Sequence, residues 1–178
     1  MRLVNRIFWG LVWLVLRLRY RVSSDGFPQL RNLPGPVLVL PNHPAYIDPP
    51  IVLAHVGLRQ PLRPLVFAGM YRVPFLWPLM KLVRAFEVPD LSGQSRAAAA
   101  RTKSLIDAVV DRVRAGDSFL IYPSGRLQRG NREVIGSARL VYELVVQCPE
   151  LSVVLIRTRG VWGSLFSCAR DGKLPDLV

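Results

Sequence analysis

Short apolar runs alternate along this chain with longer segments of helical periodicity. Three apolar runs are typical of buried strands and cover residues 37–40, 119–122 and 153–156. Apolar positions at helical spacing predict helices over Ser92–Ala115 and Ser137–Gln147. Strands that alternate with helices in this way predict one α/β domain, with a central, mostly parallel or mixed sheet flanked by helices.

Proline and glycine divide the remaining segments. Residues 61–89 are apolar but interrupted by prolines, and they predict a strand followed by short helices. This region is also a candidate membrane face, the alternative being ordinary core. Residues 17–22 alternate and predict a first strand, whereas residues 23–36 predict a loop.

The N-terminal segment predicts an amphipathic, basic helix. Residues 1–21 contain five arginines and no acidic residue, and the run from Ile7 to Leu16 is apolar and uncharged. Ten residues rise about 15 Å as a helix, which is half of the hydrocarbon thickness of a bilayer. On a helical wheel, arginines lie on one side and a wide apolar face on the other, as in helices that lie in a membrane interface.

This pattern divides the chain into an N-terminal helix and one domain. Residues 1–18 are predicted to form an N-terminal interfacial membrane helix, and residues 19–178 the α/β domain. An ordinary first helix docked on the core is the alternative for residues 1–18.

Composition narrows the classes of partner. The 178 residues include 24 Lys and Arg against 12 Asp and Glu, a formal net charge of +12, yet 51% of them are hydrophobic. A basic and apolar chain favours an anionic membrane surface or anionic substrates over nucleic acid. Two cysteines, Cys148 and Cys168, exclude a disulfide scaffold and a cysteine metal site. Because charges interrupt every long apolar stretch, a transmembrane helix is not expected.

The first candidate site follows the strand predicted at residues 37–40. His43 and Asp48 bracket one tight turn, and strand ends are where α/β sheets form sites. Asp48 precedes two prolines and is predicted as a helix N-cap. Its carboxylate can hold one imidazole nitrogen and leave the other free as a general base. The alternative is a surface histidine beside a capping aspartate. His55, the other histidine, is predicted to be structural.

The second candidate site follows the strand predicted at residues 119–122. It consists of a turn, Pro123, Ser124, Gly125 and Arg126, with Arg129 nearby. A strand end, a glycine turn and arginines make an anion cradle, because guanidinium groups bind phosphate in bidentate fashion. The alternative is a polar turn carrying surface arginines. Ser124 is not in a Gly-x-Ser-x-Gly elbow, so we do not predict it as a nucleophile.

The two turns together resemble the sequence blocks of the glycerolipid acyltransferases. Asn42 and His43 are followed by Asp48 after one strand, and an aromatic-Pro-x-Gly turn begins at Tyr122 after another. The nearest subgroup is the lysophosphatidic acid acyltransferases and related lysophospholipid acyltransferases. The order of elements is similar over roughly residues 17–165, which is most of the chain.

The resemblance implies roles for individual residues. His43 is implied as the general base and Asp48 as the residue that orients it, while Arg126, with Arg129 nearby, is implied to hold the substrate phosphate. The remaining positions matched by the motif turns are Asn42, Pro123, Ser124 and Gly125. The family needs neither a metal nor a cofactor, and acyl-CoA or acyl-ACP serves as co-substrate.

The implied activity is that of an O-acyltransferase resembling the 1-acyl-sn-glycerol-3-phosphate acyltransferases. Such an enzyme moves a fatty acyl group from an acyl thioester to the free hydroxyl of a lysophospholipid, in phospholipid biosynthesis or remodelling. The acceptor that the resemblance favours is 1-acylglycerol-3-phosphate. Together with the basic first helix, this predicts a peripheral or monotopic protein on an anionic lipid surface at the cytoplasmic face of the cell membrane.

Some positions depart from the family pattern. Ser124 stands where a glutamate is usual, and Arg126 stands one place before the usual arginine. The family's second sequence block corresponds to residues 86–91 and normally offers an arginine. No arginine stands there in this chain, and Arg84, Arg96 and Arg101 are possible replacements. The family's fourth sequence block corresponds to residues 153–156, and the chain ends soon after it. Relatives often continue beyond this point, so the chain is compatible with one domain of a longer protein.

These departures keep two alternatives open. The first is a catalytically inactive membrane-binding module with the acyltransferase fold, although intact His43 and Asp48 count against it. The second is a basic nucleic-acid binder, which lacks aromatic-basic interleaving and a helix-turn-helix signal.

Overall fold

A computed structural model describes residues 2–30, 32–57, 60–91, 95–135, 139–169 and 173, without the side chains of residues 2, 3, 5, 27 and 28. Its helices are α1 (Arg2–Arg19), α2 (Phe27–Leu30), α3 (Asp48–Val56), α4 (Ala68–Tyr71), α5 (Trp77–Leu82), α6 (Arg96–Arg114) and α7 (Arg139–Gln147). Its strands are β1 (Val37–Pro41), β2 (Leu62–Phe67), β3 (Phe86–Val88), β4 (Ser118–Leu120) and β5 (Ser152–Ile156).

The five strands form one sheet in the order β3-β2-β4-β1-β5, and every neighbouring pair is parallel. All five residues of β1 are buried, as its continuous apolar sequence predicts for a central parallel strand. The α/β fold with a parallel sheet and flanking helices is therefore confirmed. Because β1 and β4 are neighbours, the turns that follow them leave the sheet side by side.

Side-chain alternation along β1 divides the core into two layers. Val39 points into the layer that contains Trp9 of α1 and Val52 of α3. Leu38 points into the opposite layer, with Val109 of α6 and Leu144 of α7. Helices consequently cover both faces, which is what a parallel sheet requires in water.

Helix α1 docks on the core with one side only. Trp9 and Leu16 are buried, and the helix packs against α3. The predicted apolar face points away from the core, and its exposed residues are Val4, Ile7, Leu11, Leu14, Val15 and Leu18. Within the described parts of the chain, no helix is long and apolar enough to cross a membrane.

The strand predicted at residues 17–22 is wrong. Helix α1 continues to Arg19, and the N–H of Tyr20 donates to the Leu16 carbonyl at 2.7 Å. Arginines at alternate positions imitate strand alternation, but the short segment is an extension of a helix that already has its own docking face. The predicted loop at 23–36 also contains the short helix α2.

The other element boundaries differ from the predictions by a few residues. Strand β4 ends at Leu120 and helix α6 begins at Arg96, where Ser95 accepts a capping hydrogen bond from the Ala98 N–H. The predicted starts of α6 and α7, at residues 92–94 and 137–138, lie outside the described residues.

Candidate active site

His43 and Asp48 lie together at the carboxyl end of the sheet. The Nδ1 atom of His43 is 3.4 Å from the Oδ2 atom of Asp48, and their side chains are 14% and 1% exposed. Strand β1 ends at Pro41 and α3 begins at Asp48, so the short connection keeps the two side chains in contact. With Nδ1–H directed at the carboxylate, Nε2 is left as an acceptor, and it has no bonding partner among the described residues.

The prediction that Asp48 is an N-cap is wrong in detail. Asp48 is the first residue of α3, and Ile47 before it makes no side-chain cap. The two prolines that follow suit the first helical turn, where their missing N–H groups have no partner to lose. The Asp48 carboxylate turns back into the loop, where the Ala45 N–H donates to Oδ2 at 2.8 Å.

The electrostatics of Asp48 follow from this burial. Desolvation raises the pKa of Asp48 above its ordinary value of 3.8, and the Glu133 carboxylate nearby adds to the rise. Hydrogen bonds from His43 and from the Ala45 backbone oppose the rise, because they stabilise the charged form. Asp48 is thus a buried carboxylate whose charge depends on its hydrogen-bond donors.

Asn42 ties the histidine turn to the end of β5. Its Oδ1 atom accepts from the Thr158 N–H at 2.6 Å and from the Thr158 hydroxyl at 3.0 Å, while its Nδ2 donates to the Thr158 carbonyl at 3.0 Å. The Asn42 N–H also donates to the Ile156 carbonyl at 3.3 Å, which continues the β1–β5 pairing. The asparagine before the histidine therefore fixes the loop that carries His43.

Two hydrogen bonds to the segment after β4 hold the backbone of His43. Neither is predicted from the sequence. The His43 N–H donates to Glu133 Oε1 at 3.1 Å. The Gln128 N–H donates to the His43 carbonyl at 2.9 Å. Neither residue belongs to a recognised motif, and their distance from His43 along the chain leaves no local signal.

Tyr122 stacks on the imidazole of His43. The ring centroids are 4.0 Å apart and the ring planes are inclined by 27°. Burial holds the pKa of the Tyr122 phenol well above 10.0, and the carboxylates of Asp48 and Glu133 act in the same direction. The tyrosine is consequently a neutral partner of the histidine over the physiological pH range.

The second predicted turn leaves β4 beside this pair. Gly125 has a φ of +63°, a left-handed conformation that favours glycine, and its N–H donates to the Tyr122 carbonyl at 3.0 Å. The Ser124 hydroxyl donates to the Arg126 carbonyl at 2.8 Å. Pro123 occupies the first position of the turn and is half-buried. The turn is thus fixed by its own hydrogen bonds.

Four arginines lie on the two segments that contact the loop of Asn42 and His43. Arg126 and Arg129 are exposed, and the Gln128 contact keeps their segment against the His43 loop. Arg157 and Arg159 flank Thr158, to which Asn42 binds. None of these four arginines makes an ion pair with any described residue. Arg126 and Arg129 are predicted from the sequence, whereas Arg157 and Arg159 are not. Only the β1–β5 pairing brings the segment of Arg157 and Arg159 to the His43 loop.

Other candidates lie away from the pair. Arg84 binds Asp117, which precedes β4 at the opposite end of the sheet, and Arg101 donates to the Asp90 carbonyl. His55 is within α3, with Nδ1 at 2.8 Å from the Ile51 carbonyl. In the proline-rich region, Phe75 is 79% exposed, and Phe67, Met70 and Trp77 are exposed too.

The geometry around His43 leaves its imidazole able to accept a proton. A half-buried imidazole is held at its backbone, stacked on one face and bonded at Nδ1, which leaves Nε2 to accept a proton. The positive charge of the neighbouring arginines suits an anionic molecule. The site is therefore equipped for general-base catalysis on an anionic substrate.

A family profile and a solved structure are similar to this chain. A family profile described as Acyltransferase matches residues 26–156, which include both turns. A comparison with curated proteins gives no match. Among solved structures, the crystal structure of the 1-acyl-sn-glycerophosphate (LPA) acyltransferase PlsC from Thermotoga maritima is similar. The identity is 11% and the TM-score 0.46, over 83% of this chain and 72% of that chain.

Proposed function

The chain belongs to the acyltransferase family, and from that premise we propose that it transfers a fatty acyl group from an acyl thioester to the hydroxyl of a lysophospholipid. The observation that supports this proposal best is the His43–Asp48 pair. The buried carboxylate binds Nδ1, and Nε2 is left without a partner among the described residues.

The proposed reaction needs one base and no covalent enzyme intermediate. Nε2 of His43 takes the proton of the acceptor hydroxyl while the oxygen attacks the thioester carbonyl. The carbon–sulfur bond then breaks, the new ester bond is complete, and the thiolate takes the proton back from the imidazolium. Asp48 holds the ring and stabilises its positive charge in the interval. General-base assistance of this kind typically contributes about 10²–10⁴-fold.

The acceptor proposed is 1-acylglycerol-3-phosphate. Its phosphate matches the excess of positive charge at the site, since Arg126 and Arg129 have no anionic partner among the described residues. We propose that Arg157 and Arg159, which flank the Thr158 bound by Asn42, add to this positive charge. In this proposal the set compensates for Arg126 standing one place before the family's usual arginine. The donor proposed is acyl-CoA or acyl-ACP, both of which carry phosphate groups of their own.

The lipid substrates also suggest where the protein works. We propose peripheral attachment to the cytoplasmic face of the cell membrane through α1, whose exposed apolar face includes Leu18 at 85% exposure. Trp13, Arg17, Tyr20 and Arg21 line a groove of about 620 Å³ at the end of this helix. Arginine beside tryptophan and tyrosine suits the headgroup level of an anionic leaflet.

A second candidate function is an inactive membrane-binding module with this fold. Ser124 favours it, because the hydroxyl that stands in place of the usual glutamate binds the Arg126 carbonyl and projects no charge into the site. Glu133 counts against it, since a carboxylate from elsewhere supports the backbone of His43.

An acceptor panel tests the proposed function. Labelled acyl-CoA or acyl-ACP is incubated with the protein in mixed micelles that contain lysophosphatidic acid, lysophosphatidylcholine or monoacylglycerol. The proposal expects labelled product with lysophosphatidic acid and the lowest activity with monoacylglycerol, which has no phosphate. An order of acceptors that ignores phosphate would contradict the acceptor assignment. Vesicle binding without product from any donor and acceptor would select the inactive module.

A further inference from the structure

Two buried polar atoms beside His43 have no hydrogen-bond partner among the described residues. One is the hydroxyl oxygen of Tyr122, and the other is Oδ1 of Asp48. Leaving such atoms unpaired in a protein interior costs about 1–3 kcal/mol each. Because both residues contact the same imidazole, the two unpaired atoms call for a common explanation.

The two atoms are chemically complementary. A phenol that stays protonated is a donor, while Oδ1 of a carboxylate is an acceptor whose partner oxygen, Oδ2, already receives His43 and the Ala45 N–H. The Tyr122 hydroxyl lies within electrostatic reach of Asp48. The other charged or titratable groups that face the pair are His43 and Glu133. Of these, His43 already binds Oδ2, and Glu133 is an acceptor.

We propose that Tyr122 is a positioning residue for the acyl transfer, with its ring stacked on His43 and its hydroxyl donating a hydrogen bond to a water that bridges to Asp48 Oδ1. The tyrosine then holds the imidazole from one face and stabilises the charged carboxylate that binds Nδ1. This inference rests on the proposed function for its role in catalysis. The hydrogen bond itself is independent of any activity.

The inference gives Tyr122 two separable contributions. Phenylalanine at this position keeps the ring against His43 but removes the donor to Asp48. Leucine removes both the ring and the donor. A hydrogen bond to the charged form lowers the pKa of a carboxyl group, so Tyr122→Phe is expected to raise the pKa of Asp48.

Carbon-13 NMR of aspartate carboxyl groups measures this effect without any substrate. The Asp48 signal is assigned with Asp48→Asn, and its titration is followed in the wild type, Tyr122→Phe and Tyr142→Phe. The inference expects the Asp48 midpoint to rise by roughly one pH unit in Tyr122→Phe. Tyr142 is 67% exposed on α7, so its variant should leave the midpoint unchanged. An unchanged midpoint in folded Tyr122→Phe would overturn the inference.

A reciprocal measurement uses the wild-type tyrosine. Asp48→Asn should change the ¹³C chemical shift of the Tyr122 ring carbon that bears the hydroxyl, while the Tyr142 signal stays in place. Absence of that change would also count against the hydrogen bond. This readout does not depend on the folding of any Tyr122 variant.

Kinetics then separate positioning from a structural role. In Tyr122→Phe, kcat should fall several-fold with little change in KM, and the acid limb of the pH profile should move to higher pH. Tyr122→Leu should lose more, because the stacking is lost as well. Loss of stability with an unchanged pH profile would refute the positioning role. If the wild type transfers no acyl group, the proposed function fails while NMR still decides the hydrogen bond.

Discussion

At the residue scale, Asp48 combines full burial with a proposed function that needs its charge. Burial raises its pKa, so the folded protein binds this proton more tightly than the unfolded chain does. Ionisation of Asp48 therefore lowers the free energy of unfolding. This loss begins near pH 3.8, increases as the pH rises to the elevated pKa, and is complete above it. The proposed catalysis requires this loss of stability, because in that mechanism an ionised Asp48 orients and stabilises the imidazole.

Asp48→Asn should separate the effect of Asp48 on stability from its effect on acyl transfer. We expect a higher melting temperature than the wild type at neutral pH, a difference that disappears below pH 3.8, because both states of the wild type are then protonated. Acyl transfer should fall by about 10²-fold or more, since the amide cannot stabilise the imidazolium. Thermal unfolding at several pH values, together with kcat, measures both. A lower melting temperature at neutral pH, or full activity, would contradict this account of Asp48.

At the element scale, a charge cluster joins β2, β3 and α6 to β4 at the end of the sheet opposite His43. Asp117 binds Arg63 and Arg112 at 2.6 Å and Arg84 at 3.3 Å, and Arg63 also donates to the Arg84 carbonyl. Burial works to raise the pKa of Asp117, but hydrogen bonds from Arg63 and Arg112 outweigh it and lower the pKa below 3.8. The stabilisation is present above pH 3.8 and lost as the pH falls through the lowered value.

Asp117→Asn should consequently destabilise the fold without touching the chemistry. We expect a decrease of about 1–3 kcal/mol in the free energy of unfolding at neutral pH, and a smaller decrease in strong acid. Asp107→Asn is the matched control, because among the described residues Asp107 forms an ion pair with the exposed Lys103 alone and should change stability by less than about 0.5 kcal/mol. Urea unfolding measures both variants. Equal effects of the two substitutions would refute a special role for the Asp117 cluster.

The sequence was informative where the signal is local. Apolar runs predicted β1 and β5, helical spacing predicted α6 and α7, and the short spacing between His43 and Asp48 predicted that they meet. Long-range partners leave no such signal. Glu133 and Thr158 reach the His43 loop only because β1, β4 and β5 are neighbours in the sheet. The false strand at residues 17–22 arose because a six-residue alternation does not reveal that the preceding helix continues to Arg19.

At the scale of the whole molecule, the account predicts that α1 presents the protein to an anionic bilayer. Paired Leu11→Glu and Leu18→Glu substitutions put charge on its exposed apolar face and should weaken vesicle binding at least tenfold. Leu155→Glu is the control, because Leu155 is 79% exposed on β5, away from α1. Co-sedimentation with vesicles containing phosphatidylglycerol measures the binding. Equal loss in the control, or no loss in the paired variant, would contradict attachment through this face.

The central claim is that His43 is the base of an acyl transfer, and the two histidines of the chain allow a direct test. The measurement is transfer of labelled acyl groups from acyl-CoA to lysophosphatidic acid by the wild type, His43→Ala and His55→Ala, each verified as folded by circular dichroism. The account predicts a loss of about 10²–10⁴-fold in His43→Ala and activity near the wild type in His55→Ala. An active wild type with an equally active His43→Ala variant would contradict the claim.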